Sequence, residues 1–259
     1  MEPVYTPVIG TCLAAFKVLN WDVRVTGEEH IPADGPGVVA TNHVGYLDFI
    51  FAGFGVREQS KRRLRFLAKK EIWDNPVAGP MMRSMKHIPV DRGGRASQSL
   101  DAAIEALRSG ELVGMFPEST ISRSFMPLRG KTGAARMALA TGAPLIPGAV
   151  WGTQRLWTKG RPRDFRRNVP ITVSFGPSID YAPDEDPQAV TDRLMAAIGE
   201  LVARAQEEYP DTPATPDDGW WLPAHLGGTA PTPEAAAELA AQEAAARRER
   251  RQREVAGES

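Results

Sequence analysis

The chain has 259 residues, 42% hydrophobic and 24% charged, with a formal net charge of -1 and one cysteine. That length and apolar content allow a sizeable core, so one catalytic domain followed by a tail is the economical reading. The lone Cys12 excludes an internal disulfide and a thiolate metal cluster, which points to a cytoplasmic setting, and no run of about 18 apolar residues marks a transmembrane helix.

Residues 1–21 read as an N-terminal amphipathic helical segment. Its most apolar stretch, Val8–Trp21, carries Lys17 and lacks the flanks of a signal peptide. It suits an interfacial helix or one docked on the protein's own core, with Cys12 as a small apolar packer. A catalytic domain is expected over 22–209. Strands are predicted at Asp22–Gly27, Gly37–Thr41, Leu64–Ala68, His87–Val90, Leu112–Phe116, Leu145–Val150 and Ile171–Phe175. Helices are predicted between them at about Asp48–Val56, Ile72–Met85, Ser97–Arg108 and Gly130–Thr141, with a long amphipathic one at Gln188–Glu208. Strands alternating with helices of this length imply an α/β fold, a single domain with a mixed, largely parallel sheet flanked by helices. Residues 210–232 combine Pro, Gly, Thr and Asp with Trp220, Trp221 and Leu222, predicting a wrapping arm pinned by its indoles. Residues 233–259, rich in Ala, Glu and Arg, predict a charged helical or disordered tail.

The near-zero net charge conceals polarity: Arg57–Arg167 holds 22 Lys and Arg against 9 Asp and Glu. So basic a middle segment suggests an anionic partner, whether phosphorylated substrate, phospholipid surface or nucleic acid. The stretches Lys61–Arg65 and Arg161–Arg167, interleaved with Phe66, Trp157 and Phe165, would seat the protein on anionic lipid. A solvated basic face is the other reading.

Four blocks carry potential chemistry. Thr41-Asn42-His43-Val44-Gly45-Tyr46-Leu47-Asp48 follows a strand and precedes a helix, placing His43 and Asp48 at the carboxyl edge of the sheet, where open α/β sheets bind ligands. A carboxylate on one imidazole nitrogen leaves the other free to take a proton from a hydroxyl. His43 is therefore the candidate general base and Asp48 its orienter; the same pair also describes a satisfied structural histidine. Asp91-Arg92-Gly93-Gly94-Arg95 suits a phosphate, because guanidinium forks and close backbone amides favour one, or is a plain turn with solvated charges. Phe116-Pro117-Glu118-Ser119-Thr120-Ile121-Ser122 offers a carboxylate and hydroxyls to a polyol head group, or helix caps at Ser119 or Thr120. Leu145-Ile146-Pro147-Gly148-Ala149-Val150 is an apolar strand that serves core packing or an acyl chain.

Taken in this order, Asn-His-x4-Asp, Asp-Arg after a strand, Phe-Pro-Glu and an Ile-Pro strand resemble the glycerolipid acyltransferase family that includes 1-acylglycerol-3-phosphate acyltransferases, over about Val25–Pro177. The resemblance implies His43 and Asp48 as catalytic residues and Asn42, Arg92, Glu118, Ser119, Thr120, Arg123, Lys131 and Pro147 as substrate-binding ones. The family's third motif usually reads Phe-Pro-Glu-Gly-Thr-Arg-Ser, whereas here Ser119 replaces the glycine and Ile121 the arginine. Arg123, Arg129 and Lys131 are the candidates for the missing charge. The implied reaction is transfer of a fatty acyl group from acyl-CoA or acyl carrier protein, as co-substrate, to a lysophospholipid hydroxyl in phospholipid biosynthesis. No cofactor is expected, and His30, His43, His87 and His225 are not spaced as a metal-ligand set. The implied location is peripheral, on the cytoplasmic face of an anionic phospholipid membrane. Two alternatives remain: another glycolipid or lysolipid acceptor, and a non-catalytic lipid-binding protein. Nucleic acid is not expected as a partner, because zinc spacing, an RNA-recognition signature and a stacked aromatic series are all missing from the sequence.

Overall fold

The computed structural model describes residues 5–76, 78–91 and 96–256. Helix α1 (Tyr5–Val18) leads into β1 (Asp22–Thr26), whose alternating exposure is that of an edge strand. Strand β2 (Gly37–Thr41) is buried at every residue and continues through the 42–47 turn into α2 (Asp48–Ser60). After β3 (Leu64–Lys69) come α3 (Ala78–Ser84), β4 (Ile88–Val90), α4 (Ala96–Arg108) and β5 (Leu112–Met115). The remaining core elements are α5 (Gly133–Thr141), β6 (Leu145–Trp151), β7 (Pro170–Phe175) and α6 (Pro187–Glu207). Helix α6 starts at Asp186, whose carboxylate accepts the Gln188 N–H at 3.2 Å, with Pro187 at the first helical position.

The seven strands form one sheet in the order β1-β7-β6-β2-β5-β3-β4. Every neighbouring pair is parallel except β6 with β7. Apolar clusters cover both faces of the centre, α2 with α1 on one side and α4, α5 and α6 on the other, which is why β2 and β6 read as continuous apolar runs. The connection from β2 crosses through α2 on one face to β3. The connection from β5 crosses through α5 on the opposite face to β6. The loops after β2 and β5 therefore leave a shared edge in opposite directions, at the kind of position where open α/β sheets bind ligands.

Two compact units emerge. The larger runs from the N-terminus to Ile121 and resumes over Pro127–Asp211; the smaller joins Ser122–Met126 to the chain from Thr212 onward. In the smaller, short helical turns at Pro216–Trp221 and Ala224–Leu226 precede α7 (Pro233–Ala256), and the Trp221 indole is fully buried. In the larger, Phe16 of α1 stacks on Phe51 of α2 at 4.8 Å, so α1 docks on the protein's own core. Burial pushes the Cys12 thiol up, as suits a packing residue. Among the described residues no helix is long and apolar enough to cross a membrane.

Two expectations change. The single helix expected over Ile72–Met85 is a 3-10 turn at Lys70–Asp74 followed by α3. Pro76 cannot continue a helix, and Asn75 caps the new start by accepting the Ala78 N–H at 2.9 Å. Within the stretch Lys61–Arg65 with Phe66, the Arg65 and Phe66 side chains are buried and do not face lipid. Arg65 is buried, forked onto the Glu111 carboxylate at 3.1 and 3.2 Å and donating to the Met85 carbonyl at 2.9 Å. Arg62 donates to the Pro32 carbonyl at 3.1 Å, and Phe66 lies in the core.

Candidate active site

The turn after β2 folds around one carboxylate. Asp48, at the first residue of α2, is fully buried, and its Oδ2 accepts from His43 Nδ1 at 2.9 Å, Val44 N–H at 2.7 Å and Gly45 N–H at 2.8 Å. Its Oδ1 accepts the Thr153 hydroxyl. Four donors make a buried anion tolerable, and the bond at Nδ1 assigns the proton there and leaves Nε2 as an acceptor. The His43 side chain is 18% exposed, enough to meet a substrate. Its ring stacks on Phe116, centroids 3.9 Å apart and planes within 6°, and Phe116 lies 5.3 Å from Phe66. Tautomer and ring plane are thus both fixed from outside the histidine.

Glu118 ties the loop after β2 to the loop after β5. Its Oε1 accepts the His43 N–H at 2.8 Å and its Oε2 the Leu128 N–H at 3.0 Å, while the residue is only 5% exposed. Burial pushes its carboxyl up to about 8, opposed by the Leu128 and His43 N–H donors and reinforced by the Asp48 charge. The Lys131 N–H donates to the Pro117 carbonyl at 3.0 Å.

The other sequence candidates are distributed unevenly around this pair. Asn42 lies beneath the turn, donating to the Val150 carbonyl at 3.1 Å and accepting the Val150 N–H at 2.7 Å, so its amide fastens β2 to β6. Ser119 has φ +59°, a left-handed conformation. It costs an L-residue about 1–2 kcal/mol and accounts for the glycine usual in the family motif. Thr120 and Lys131 are exposed, and Ile121 is buried. Arg123, in the smaller unit, is ion-paired to Glu243 of α7. Pro147 is buried inside β6 opposite Ala40, and its carbonyl accepts the Gly176 N–H at 2.9 Å. Arg92 lies outside the described residues.

Sequence reading misses Thr153, Phe116 as a stacking partner, and the Val44 and Gly45 amides. The one local trace of Thr153 is a glycine: a Cβ on Gly45 would lie 2.9 Å from Thr153 Oγ1 and 3.0 Å from its carbonyl oxygen.

A buried carboxylate orienting a partly exposed imidazole at the carboxyl edge of a parallel sheet defines a site suited to general-base group transfer. A family model described as "Acyltransferase" matches residues 22–151, and the chain belongs to that family; it is an O-acyltransferase. The 1-acyl-sn-glycerol-3-phosphate acyltransferase of Bacillus subtilis (strain 168) is 35% identical over 156 residues, 58% of this chain and 76% of that protein. The enzyme of the same name from Limnanthes douglasii is 32% identical over 161 residues, 61% of this chain and 54% of its own length. The crystal structure of the 1-acyl-sn-glycerophosphate (LPA) acyltransferase PlsC from Thermotoga maritima superposes with a TM-score of 0.65 at 26% identity, covering 80% of this chain and 81% of that one.

Proposed function

We propose that the protein moves a fatty acyl group from a thioester, acyl-CoA or acyl-carrier protein, to the free hydroxyl of a lysophospholipid such as 1-acylglycerol-3-phosphate, in phospholipid biosynthesis. The observation that carries this reading is the His43 side chain, held through Nδ1 by the buried Asp48 and 18% exposed. Nε2 takes the acceptor's proton as its oxygen attacks the thioester carbonyl. The tetrahedral intermediate then expels the thiolate, which recovers the proton from His43. The names of the relatives support the acceptor class. Ile121 is buried and Arg123 already holds a carboxylate, so the head-group charge falls to Arg92, Arg129 and Lys131. The same observation favours, as a second reading, an acceptor other than lysophosphatidic acid. Product masses after incubation with acyl-CoA and a panel of lysophospholipids, glycerol-3-phosphate and glycolipids decide between them. Acylated lysophosphatidate is expected; a product from another acceptor alone selects the second reading, and no product from any acceptor with either carrier overturns both.

The partner surface we infer is anionic lipid, met by the 157–167 loop. Trp157 lies 4.6 Å from Tyr46, and the Arg163 guanidinium sits 4.6 Å over the Trp157 ring. Tyr46 is 41% and Phe165 45% exposed, with Arg161, Arg163 and Arg167 exposed beside them. Amphipathic rings and guanidinium groups, gathered with Tyr46 three residues after the candidate base, suit a membrane interface. The double variant Arg161→Glu, Arg163→Glu should weaken flotation with anionic vesicles by about tenfold or more, at about 1 kcal/mol per charge. Flotation independent of anionic lipid content contradicts this surface.

A further inference from the structure

The Asp48 carboxylate divides its work between two oxygens: Oδ2 holds His43, Val44 and Gly45, and Oδ1 is held by the Thr153 hydroxyl. Thr153 opens a 3-10 turn, Thr153–Arg155, directly after β6, and every residue of Trp151–Leu156 is buried. The turn is built to be rigid. Gly152 has φ +97°, and a Cβ there would lie 2.3 Å from the Pro170 carbonyl oxygen, so only glycine fits. The Gly152 N–H donates to Gln154 Oε1 at 2.9 Å. Arg155 reaches Asp211 at 2.5 Å and the Tyr209 hydroxyl at 3.2 Å, and that hydroxyl donates to the Pro170 carbonyl at 2.7 Å. Farther along, the Trp157 carbonyl accepts the Tyr46 N–H at 2.9 Å, and the Thr158 hydroxyl donates to the Val44 carbonyl at 2.6 Å.

We propose that Thr153 is a positioning residue for acyl transfer: its hydroxyl locks the rotation of the Asp48 carboxylate so that Oδ2 stays on His43 Nδ1. This rests on His43 being the base. A buried carboxylate oxygen without a donor carries the full desolvation cost of that charge. Without the hydroxyl, rotation or protonation of Asp48 relieves that cost, and either loosens the imidazole. The effect belongs to proton transfer, not to substrate binding, because Thr153 acts from behind a residue that is itself fully buried.

The test compares Thr153→Val, which keeps the shape and deletes the donor, with Thr153→Ser, which keeps the donor. With acyl-CoA and 1-acylglycerol-3-phosphate, or whichever lysolipid the full-length protein acylates, Thr153→Val should lower kcat by about ten- to hundred-fold, the worth of one hydrogen bond to a charged group. Both KM values should stay within about twofold, and Thr153→Ser should return kcat to within about threefold of the parent. Should the valine variant fail to fold, Thr153→Ala, which adds no methyl against the carboxylate, takes its place. Equal activity in the valine and serine variants, or a loss confined to KM, overturns the proposal. His43→Ala run in parallel separates the two levels: if it is inactive while Thr153→Val is unimpaired, only the Thr153 role fails, and if it is active, the base assignment fails first.

Discussion

His43→Ala is expected to lower acyl transfer by about 10²–10⁴-fold, the usual worth of a positioned general base, while leaving the fold intact. At 1.36 kcal/mol per tenfold this is about 3–5 kcal/mol of barrier. The stability side rests on what remains after truncation. Asp48 keeps the Val44 and Gly45 amides and the Thr153 hydroxyl, and the vacated space opens onto solvent, since the side chain is 18% exposed. Asp48→Ala is the informative contrast. It leaves those buried donors and the His43 N–H group without an acceptor, at about 1–3 kcal/mol each, so it should lose stability as well as activity. Turnover and thermal melting measured on both variants check the pair; a His43→Ala protein with parent-level turnover removes the imidazole from the mechanism.

The second large effect is on stability against pH, and it comes from Glu118. Its folded carboxyl is pushed up to about 8 from an ordinary 4.5, burial being the main cause. Between those two values the unfolded chain has lost this proton and the folded chain keeps it. The folded state binds more protons there, so stability is fully present below about 4.5 and falls as pH rises toward 8. The slope has an upper limit of about 1.4 kcal/mol per pH unit. Glu118→Gln should flatten that part of the curve. It should also lower stability at acid pH by about 1–3 kcal/mol, because an amide cannot accept from both the His43 and the Leu128 N–H groups. Denaturant melts of parent and variant from pH 4.5 to 8 read both effects; parallel curves for the two proteins contradict them.

Much of this protein is legible from local pattern alone. Continuous apolar runs bounded by glycine and proline gave the strands their places, and His43 with Asp48 five residues on was visible because the loop that joins them is short. Ile72–Met85 read as one helix, yet a 3-10 turn ends at Asp74 and α3 begins only at Ala78, on either side of Pro76. Lys61–Arg65 read as a basic surface because charge in a sequence does not reveal its partner. Arg65 finds Glu111, 46 residues away, only once β3 lies beside β5.

By itself, then, the sequence determined the alternation of strands and helices, the placing of Asp48 and His43 on one short turn, and the family pattern of the four blocks. These depend on neighbours along the chain, where period and turn chemistry act. The tertiary structure alone decided that Thr153, 105 residues from Asp48, completes the carboxylate's shell, that Glu118 binds the backbone of His43, and that Phe116 fixes the ring plane. Those contacts exist because the crossovers from β2 and β5 leave opposite faces of the sheet and bring distant loops to one edge, a consequence of strand order that no local spacing encodes.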